Sequence, residues 1–471
     1  MNWKLIWRGI KTPAMRNKLL AILGILLVYR MLSHIPIPLA EPTVLKQLID
    51  NLFTNEGIPE LLSIYNLLSG GALTGLSIML VGVAPYITAS IIMQVLTRAI
   101  PKLEKMQKEG EYGRKKINQY TRLLTLPLAI SQSILMLFFV RQATSQISGL
   151  GDIFGEASLG TWLLMIASLT TGAMILMWLG ELITEKNIGN GISLLITVAI
   201  ISQLPLLISS LYRSVTTDDS TAISIFNWFD VSPTLIYVLV LLLITFLLTV
   251  FIVYVNEAYR KIKLSYAKRI QGNRVYGGVN TFLPIKLILA GVIPIIFATS
   301  FLSIPQLMSS WLSNVDSLFW ADLGTNLGTW FAIPSQETDL SNWVSYIYPA
   351  SYFFLVVIFT YFYTNIVFSA KDISERLQRQ GGFIEGVRPG LSTQKYLSSI
   401  VNRLNLFGAG ILGTIALIPI MAQMFFPGSQ ILLSGISILI IVAVALETLR
   451  QIESQALMVT YEDYDRKFES Q

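Results

Sequence analysis

No cysteine occurs in the 471 residues. A disulfide framework and a thiolate metal site are therefore excluded. Histidine is nearly absent as well. The one example, His34, stands in "LSHIPIPL" at the end of the first long apolar run. A single imidazole at that place reads as a polar anchor, and it leaves no basis for His-cluster metal binding or imidazole acid–base chemistry. Charge is scarce too. Asp, Glu, Lys and Arg make up 13% of the chain, where a soluble protein carries about a quarter. No P-loop, no HExxH and no Ser-His-Asp set is legible. The sequence thus predicts neither an enzyme nor a cofactor.

What remains is apolar. Hydrophobic residues are 53% of the chain, and the mean hydropathy is +0.61. The excess is gathered into runs of about 20 residues, the length that crosses a ~30 Å hydrocarbon core. Ten spans are expected, near 18–38, 75–97, 121–141, 160–181, 189–211, 234–256, 284–306, 344–367, 402–424 and 430–450. Before the first stand Lys4, Arg8, Lys11, Arg16 and Lys18. That run is too long for a signal peptide and no small-residue cleavage site follows it, so it reads as a retained span. Pro85, Pro127 and Pro294 interrupt spans, which is tolerable where neighbours satisfy the freed carbonyls.

Basic residues fall on alternate connections. The 98–122 connection has eight, 257–283 has six and 368–401 has five, while 142–159 and 307–343 have none. By the positive-inside rule the basic connections and both termini are cytoplasmic. The expected location is the cell (inner) membrane.

Two stretches stand out from the span pattern. A half-length apolar helix is expected over 58–69, on the outer side, ending at Ser69-Gly70-Gly71. It cannot span. It either fills a vestibule in the bundle or lies on the membrane surface. On the other side, "YRKIKLSYAKRIQGNRVY" alternates tyrosines with basic residues over two strands or a hairpin, and suits a polyanion such as ribosomal RNA or lipid headgroups. "GGFIEGVRPG" reads as a structured turn holding Arg388 at its apex, a fixed cation suited to docking a protein. Charges inside spans are few: Arg30, with Glu181 and Glu447 near cytoplasmic ends. The lack of a midplane carboxylate counts against an ion-coupled transporter.

Seven stretches, in order, carry a resemblance: "HIPIPL" (34–39), "YNLLSGGALTGLSIMLVGVAPYITASIIMQVL" (65–96), "KEGEYGRKKINQYTR" (108–122), "MWLGELITEKNIGNGISLLI" (177–196), "YAKRIQGNRVYGG" (266–278), "LPIKLILAGVIPIIFATS" (283–300) and "GGFIEGVRPGLSTQKYL" (381–397). Along essentially its whole length the chain resembles the SecY family of preprotein-translocation channels. The resemblance implies an all-α polytopic fold. Its ten helices form two pseudo-symmetric halves, residues 1–212 (spans 1–5, with a plug at 58–70) and 213–471 (spans 6–10, with docking loops 257–283 and 368–401). It also implies a protein-conducting pore with a lateral gate toward lipid. The half-helix matches the plug, with Gly70 and Gly71 as its hinge.

By the same resemblance, Val83, Ile87, Ile192, Ile196, Ile296 and Ile440 form an aliphatic constriction that excludes ions by dewetting. From residue type alone these would be lipid-facing or packed side chains. The gate lies between spans 2 and 7, flanked by 3 and 8, with Thr88, Gln94 and Gln132 as polar lining. Those three could equally make ordinary helix-to-helix hydrogen bonds. Arg260, Lys268, Arg269, Arg274 and Arg388 are the motor- and ribosome-docking candidates. Two positions depart from the family pattern: Ile288, where Asn is usual, and Glu385-Gly386, where Pro-Gly is usual. The implied partners are the small membrane subunits SecE and SecG, the SecA ATPase, the ribosome (rRNA and proteins), signal-bearing preproteins, SecDF, YidC and membrane lipids. The rival readings are a multi-span secondary solute transporter, which needs a midplane polar site, and a scramblase or scaffold, which needs no pore ring.

Overall fold

The computed structural model describes residues 7, 11–38, 69–73, 75–145, 158–205, 208–209, 223–225, 229–231, 233–266, 269–271, 274–276, 280–313, 317–332, 334, 342–425 and 435–469. The expected plug helix and the 212/213 boundary between halves lie outside the described residues.

The chain is mostly helical. Helices α1 (Pro13–Leu32) and α2 (Ala84–Ala99) are followed by a short basic helix, α3 (Pro101–Lys108), and then by α4 (Glu111–Ser145), α5 (Leu159–Glu185) and α6 (Gly191–Ile201). A small hairpin, β1 (Ile223–Ile225) with β2 (Phe229–Val231), precedes α7 (Pro233–Glu257). Next come β3 (Tyr259–Tyr266), the antiparallel pair β4 (Arg269–Gln271) and β5 (Arg274–Tyr276), and β6 (Asn280–Lys286). The remainder is α8 (Ile293–Leu312), α9 (Leu318–Trp330), α10 (Ile347–Val367), α11 (Ala370–Arg379), β7 (Gly382–Ile384), α12 (Leu391–Phe425) and α13 (Gly435–Glu469).

A helix stands at each of the ten expected places, but the spans are unequal. Among the described residues, four helices are long and apolar enough to cross a membrane by themselves: Glu111–Arg141, Leu159–Glu185, Trp343–Arg379 and Leu391–Ile418. Two expected spans are corrected. The apolar runs at 75–97 and 284–306 become helical only at Ala84 and Ile293. The cause is the same in both. "GVAP" and "GVIP" place a glycine at positive φ (Gly82 at 64°, Gly291 at 62°), then a valine N-cap, then a proline in the first turn. Positive φ breaks a right-handed helix, and proline is at home only in its first turn. Upstream of α2, residues 69–73 and 75–83 run largely as turns, most of them buried. Irregular backbone at membrane depth is sustainable only with such protein cover.

That cover is tight. A Cβ on Gly172 of α5 would lie 2.0 Å from the Ile78 carbonyl oxygen. Gly172→Ala must push α5 off the 69–83 turns, at a cost of about 1–3 kcal/mol as in other overpacked cores. The expected outcome is lower membrane abundance and a lower Tm in detergent, read by a thermal-shift assay. An unchanged Tm would show that the turn can retreat freely.

α8 packs against α2 and α4 as well as against α9 and α10. One large apolar cluster runs through this seam and includes Ile22, Ile87, Ile196, Ile296, Tyr352 and Ile440. A separate cluster holds the three-stranded sheet β6–β3–β7 against α11 and α12.

Candidate functional site

A cavity of about 390 Å³ lies at the seam, among α2, α4, α5, α6, α8 and α10. Its wall is polar on the side of the basic 98–122 connection, with Ser90, Gln94, Asn118, Arg122, Glu181 and Asn190. Its other lining mixes the aliphatic Ile87, Ile192, Ile196, Ile293 and Ile296 with Tyr86, Thr184, Glu185, Ser193, Phe297 and Tyr363. Four of the six expected ring residues therefore share one cavity, and they come from three helices. The other two, Val83 and Ile440, are buried in the same apolar cluster, Ile440 with 1% of its surface exposed. Val83 is the N-cap of α2, so the left-handed turn at Gly82 sets where it stands. Ile192 is held close to α5 because Gly180 leaves room for it: a Cβ there would meet the Ile192 Cδ1 at 2.3 Å.

The polar wall has an organised charge pair that was only half legible in the sequence. Arg122 of α4 meets Glu181 of α5 through Nε–Oε1 at 2.9 Å and a second guanidinium nitrogen–Oε2 contact at 2.6 Å. The paired arrangement fixes orientation as well as charge. Glu181 stood out as a charge near a span end, but no spacing rule joins it to Arg122 on a different helix.

The expected gate residues are placed as follows. Thr88 donates to the Ala84 carbonyl at 3.0 Å, and Gln94 Nε2 donates to Ser90 Oγ at 3.1 Å. Both bonds stay inside α2, which corrects the alternative of helix-to-helix bonding for these donors. Gln94 Oε1 is buried with no hydrogen-bond partner among the described residues. Gln132 is partly buried on α4. Ile288 is buried in the irregular segment before α8, where Gly408 of α12 allows the backbone close approach. α2 is also joined to α10 at its C-terminus, where Arg98 donates to the Asn365 carbonyl in the last turn of α10 at 2.7 Å. A cation there suits the negative end of a helix.

On the basic side, β3 carries basic residues on its exposed face from Arg260 to Lys263. Arg260, Lys261 and Lys263 are exposed, while Ile262 and Leu264 are buried. β3 pairs with β6 along its length and with β7 over Leu264–Tyr266, joining the two long basic loops. Sequence reading treated those loops separately. The turn after β7 keeps its geometry through Gly386 at φ 80° and Gly390 at φ 98°. Glu385 accepts a hydrogen bond from Ser265 Oγ at 3.1 Å, and Thr393 and Ser374 donate to the Arg388 and Gly390 carbonyls. The departure from Pro-Gly thus supplies an added tether to β3. Arg388 itself is exposed at the tip. Arg269 and Arg274 lie on β4 and β5, and Lys268 lies outside the described residues. Gly70 and Gly71 take φ of 73° and 88°.

Comparison with known proteins agrees with this arrangement. The SecY family model matches residues 77–449. A relative from Streptomyces coelicolor named protein translocase subunit SecY is 38% identical over 462 residues, covering 98% of this chain and 99% of its own. One of the same name from Mycobacterium bovis is 36% identical, covering 97% and 98%. Among solved structures, a protein-conducting channel superposes with a TM-score of 0.64 at 18% identity, over 92% of this chain and 91% of its own. Sec61 from a canine ribosome–channel complex gives 0.57 at 16%, over 92% and 91%. A family model that matches most of the chain, and relatives alike from end to end, place the chain in the SecY family.

Proposed function

We propose that the chain is the channel-forming subunit of a protein translocase, passing unfolded preproteins across the membrane and releasing apolar segments sideways into lipid. The observation that carries this reading is the cavity among α2, α4, α5, α6, α8 and α10, where a polar wall toward the basic side stands with a set of isoleucines from three helices. The polar wall receives an extended chain whose peptide groups still need hydrogen-bonding partners. The isoleucines beyond offer none, so they close around any sequence and exclude ions when empty. α8 lies directly against α2 and α4, so parting these helices opens a path from the cavity to lipid. An apolar segment leaves by that path, driven by about 25 cal/mol per Å² of apolar surface buried.

The chain supplies no motor. The rigid sheet and the Arg388 tip are the surfaces on which SecA or the ribosome docks, and SecE and SecG are the expected small partners. The basic connections and both termini face the cytoplasm of a bacterial inner-membrane protein. The transporter alternative is not favoured by any observation.

Reconstitution tests the reading. The chain, purified with a SecE-like subunit and placed in vesicles with SecA and ATP, is expected to bring a labelled preprotein into a protease-protected state. Failure to do so, with neither ribosome nor SecA binding, would sink the proposal. Solute uptake in its place would restore the transporter.

A further inference from the structure

Arg98 stands in the last turn of α2 and is exposed. Its guanidinium donates to the Asn365 carbonyl at 2.7 Å and reaches the Ile366 carbonyl at 3.5 Å. Both carbonyls belong to the last turn of α10, which ends at Val367. The last carbonyls of a helix have no partner inside it. The Thr364 carbonyl is served by the Phe368 N–H, and Arg98 serves the two that follow. One side chain of α2 thus caps a helix that is not its own.

The end of α10 that it grips is built into the sheet on the basic side. Thr364 Oγ1 donates to Asn405 Oδ1 of α12 at 3.0 Å, and both side chains are buried. Phe368 and Ser369 then turn the chain directly into α11, where Ser369 Oγ accepts from the Asp372 N–H at 3.3 Å. Ser374 of α11 donates to the Gly390 carbonyl beside the Arg388 tip at 2.8 Å. Leu377 of α11 is buried with Ile384 of β7 and with Ile262 and Leu264 of β3. Arg98 therefore ties α2 to the root of the structure that carries the exposed cations of β3 and Arg388.

The same helix reaches the cavity. Ile87 stands about 16 Å back along α2, and it lines the cavity together with Ile296 of α8. α2 has no proline beyond its first turn, so it has none of the usual kink sites that would let one end move without the other. Ile87 and Ile296 share one apolar cluster, and apolar packing is non-directional. A guanidinium held by carbonyls fixes position and orientation.

We propose that Arg98 is a positioning residue that couples the docking sheet to the cavity wall. A load on the sheet reaches α2 through α11, the end of α10 and Arg98, and a chain that parts α2 from α8 is felt at the sheet by the same route. This rests on the channel reading above. Such coupling is reciprocal, so it is measurable as a change in the affinity of one partner caused by the other.

The test uses the complex with a SecE-like subunit in vesicles. SecA affinity is titrated with and without a saturating synthetic signal peptide, for the wild type, Arg98→Gln, Arg98→Lys and Lys102→Gln. Lys102 is exposed in the first turn of α3, so its variant removes the same charge from the same corner and leaves the contact with α10 in place. In the wild type the two affinities should differ about fivefold or more. Arg98→Gln should bring them within about twofold of each other, with SecA still bound. Arg98→Lys, which keeps the charge without the planar fork, should fall between, and Lys102→Gln should match the wild type. A wild-type ratio in Arg98→Gln, an equal loss in Lys102→Gln, or a wild type with no ratio to lose would overturn the coupling. A wild-type complex that binds neither SecA nor the peptide would instead overturn the channel reading.

Discussion

Arg388→Glu will reduce preprotein translocation into inverted vesicles to a few per cent of wild type, about the level a lost interface hot spot gives, with membrane abundance unchanged. Arg388 is exposed, so reversing it costs the fold little. Yet the backbone that carries it is fixed from three directions. Its own carbonyl accepts from Thr393, the Gly390 carbonyl accepts from Ser374, and Glu385 is tied to Ser265 on β3. A partner therefore meets a cation with little freedom left to lose. Losing such a contact costs about 2 kcal/mol or more, roughly thirtyfold in affinity, and a reversed charge adds repulsion. Binding of SecA and of ribosomes should be measured separately on the variant. Near-normal transport would remove Arg388 from the docking surface, and loss of only one partner would identify which motor uses it.

Placing Asn at Ile87 or at Ile296 will make the idle channel leak and will let it export proteins with defective signal sequences. Both isoleucines line the cavity and both belong to the same large apolar cluster. Ile296 is 9% exposed and Ile87 7%. An amide there loses about 1–3 kcal/mol if it stays dry and recovers it by admitting water. The closed state weakens by that amount relative to the open one, roughly tenfold or more in the idle open fraction. Less signal-sequence binding is then needed to open the gate. An isoleucine facing lipid would behave otherwise, with Asn lowering abundance and leaving gating alone. Conductance, stringency and abundance measured on each variant separate the two. Reduced abundance with wild-type leak and stringency would show that these residues form no ring.

Much of the fold was legible because it depends on one residue at a time. The span at 160–181 needs only its own transfer energy to be recognised, and the helix Leu159–Glu185 covers it. Where backbone conformation opposed hydropathy, the pattern misled. The runs at 75–97 and 284–306 are apolar throughout, but Gly82 and Gly291 delay the helices to Ala84 and Ile293. Both glycines and both prolines were visible in the sequence, and their spacing could have located those starts. Ring residues named by resemblance converge on one cavity at four of six positions, although isoleucine in an apolar helix carries no mark of its own.

The sequence by itself determined that this is a multi-pass membrane protein and which family it resembles. Each of those follows from hydrophobicity, charge or local motif, quantities a residue has before it meets any other. Only the tertiary structure decided that β7 joins β3 into one sheet, that Arg122 and Glu181 face each other across two helices, and that Arg30 turns inward to Gly70 and Ser202. Those are properties of pairs. A guanidinium at a helix end can reach headgroups, a carboxylate or a carbonyl at similar cost, and which one it takes depends on the surface that packing brings within 3 Å of it.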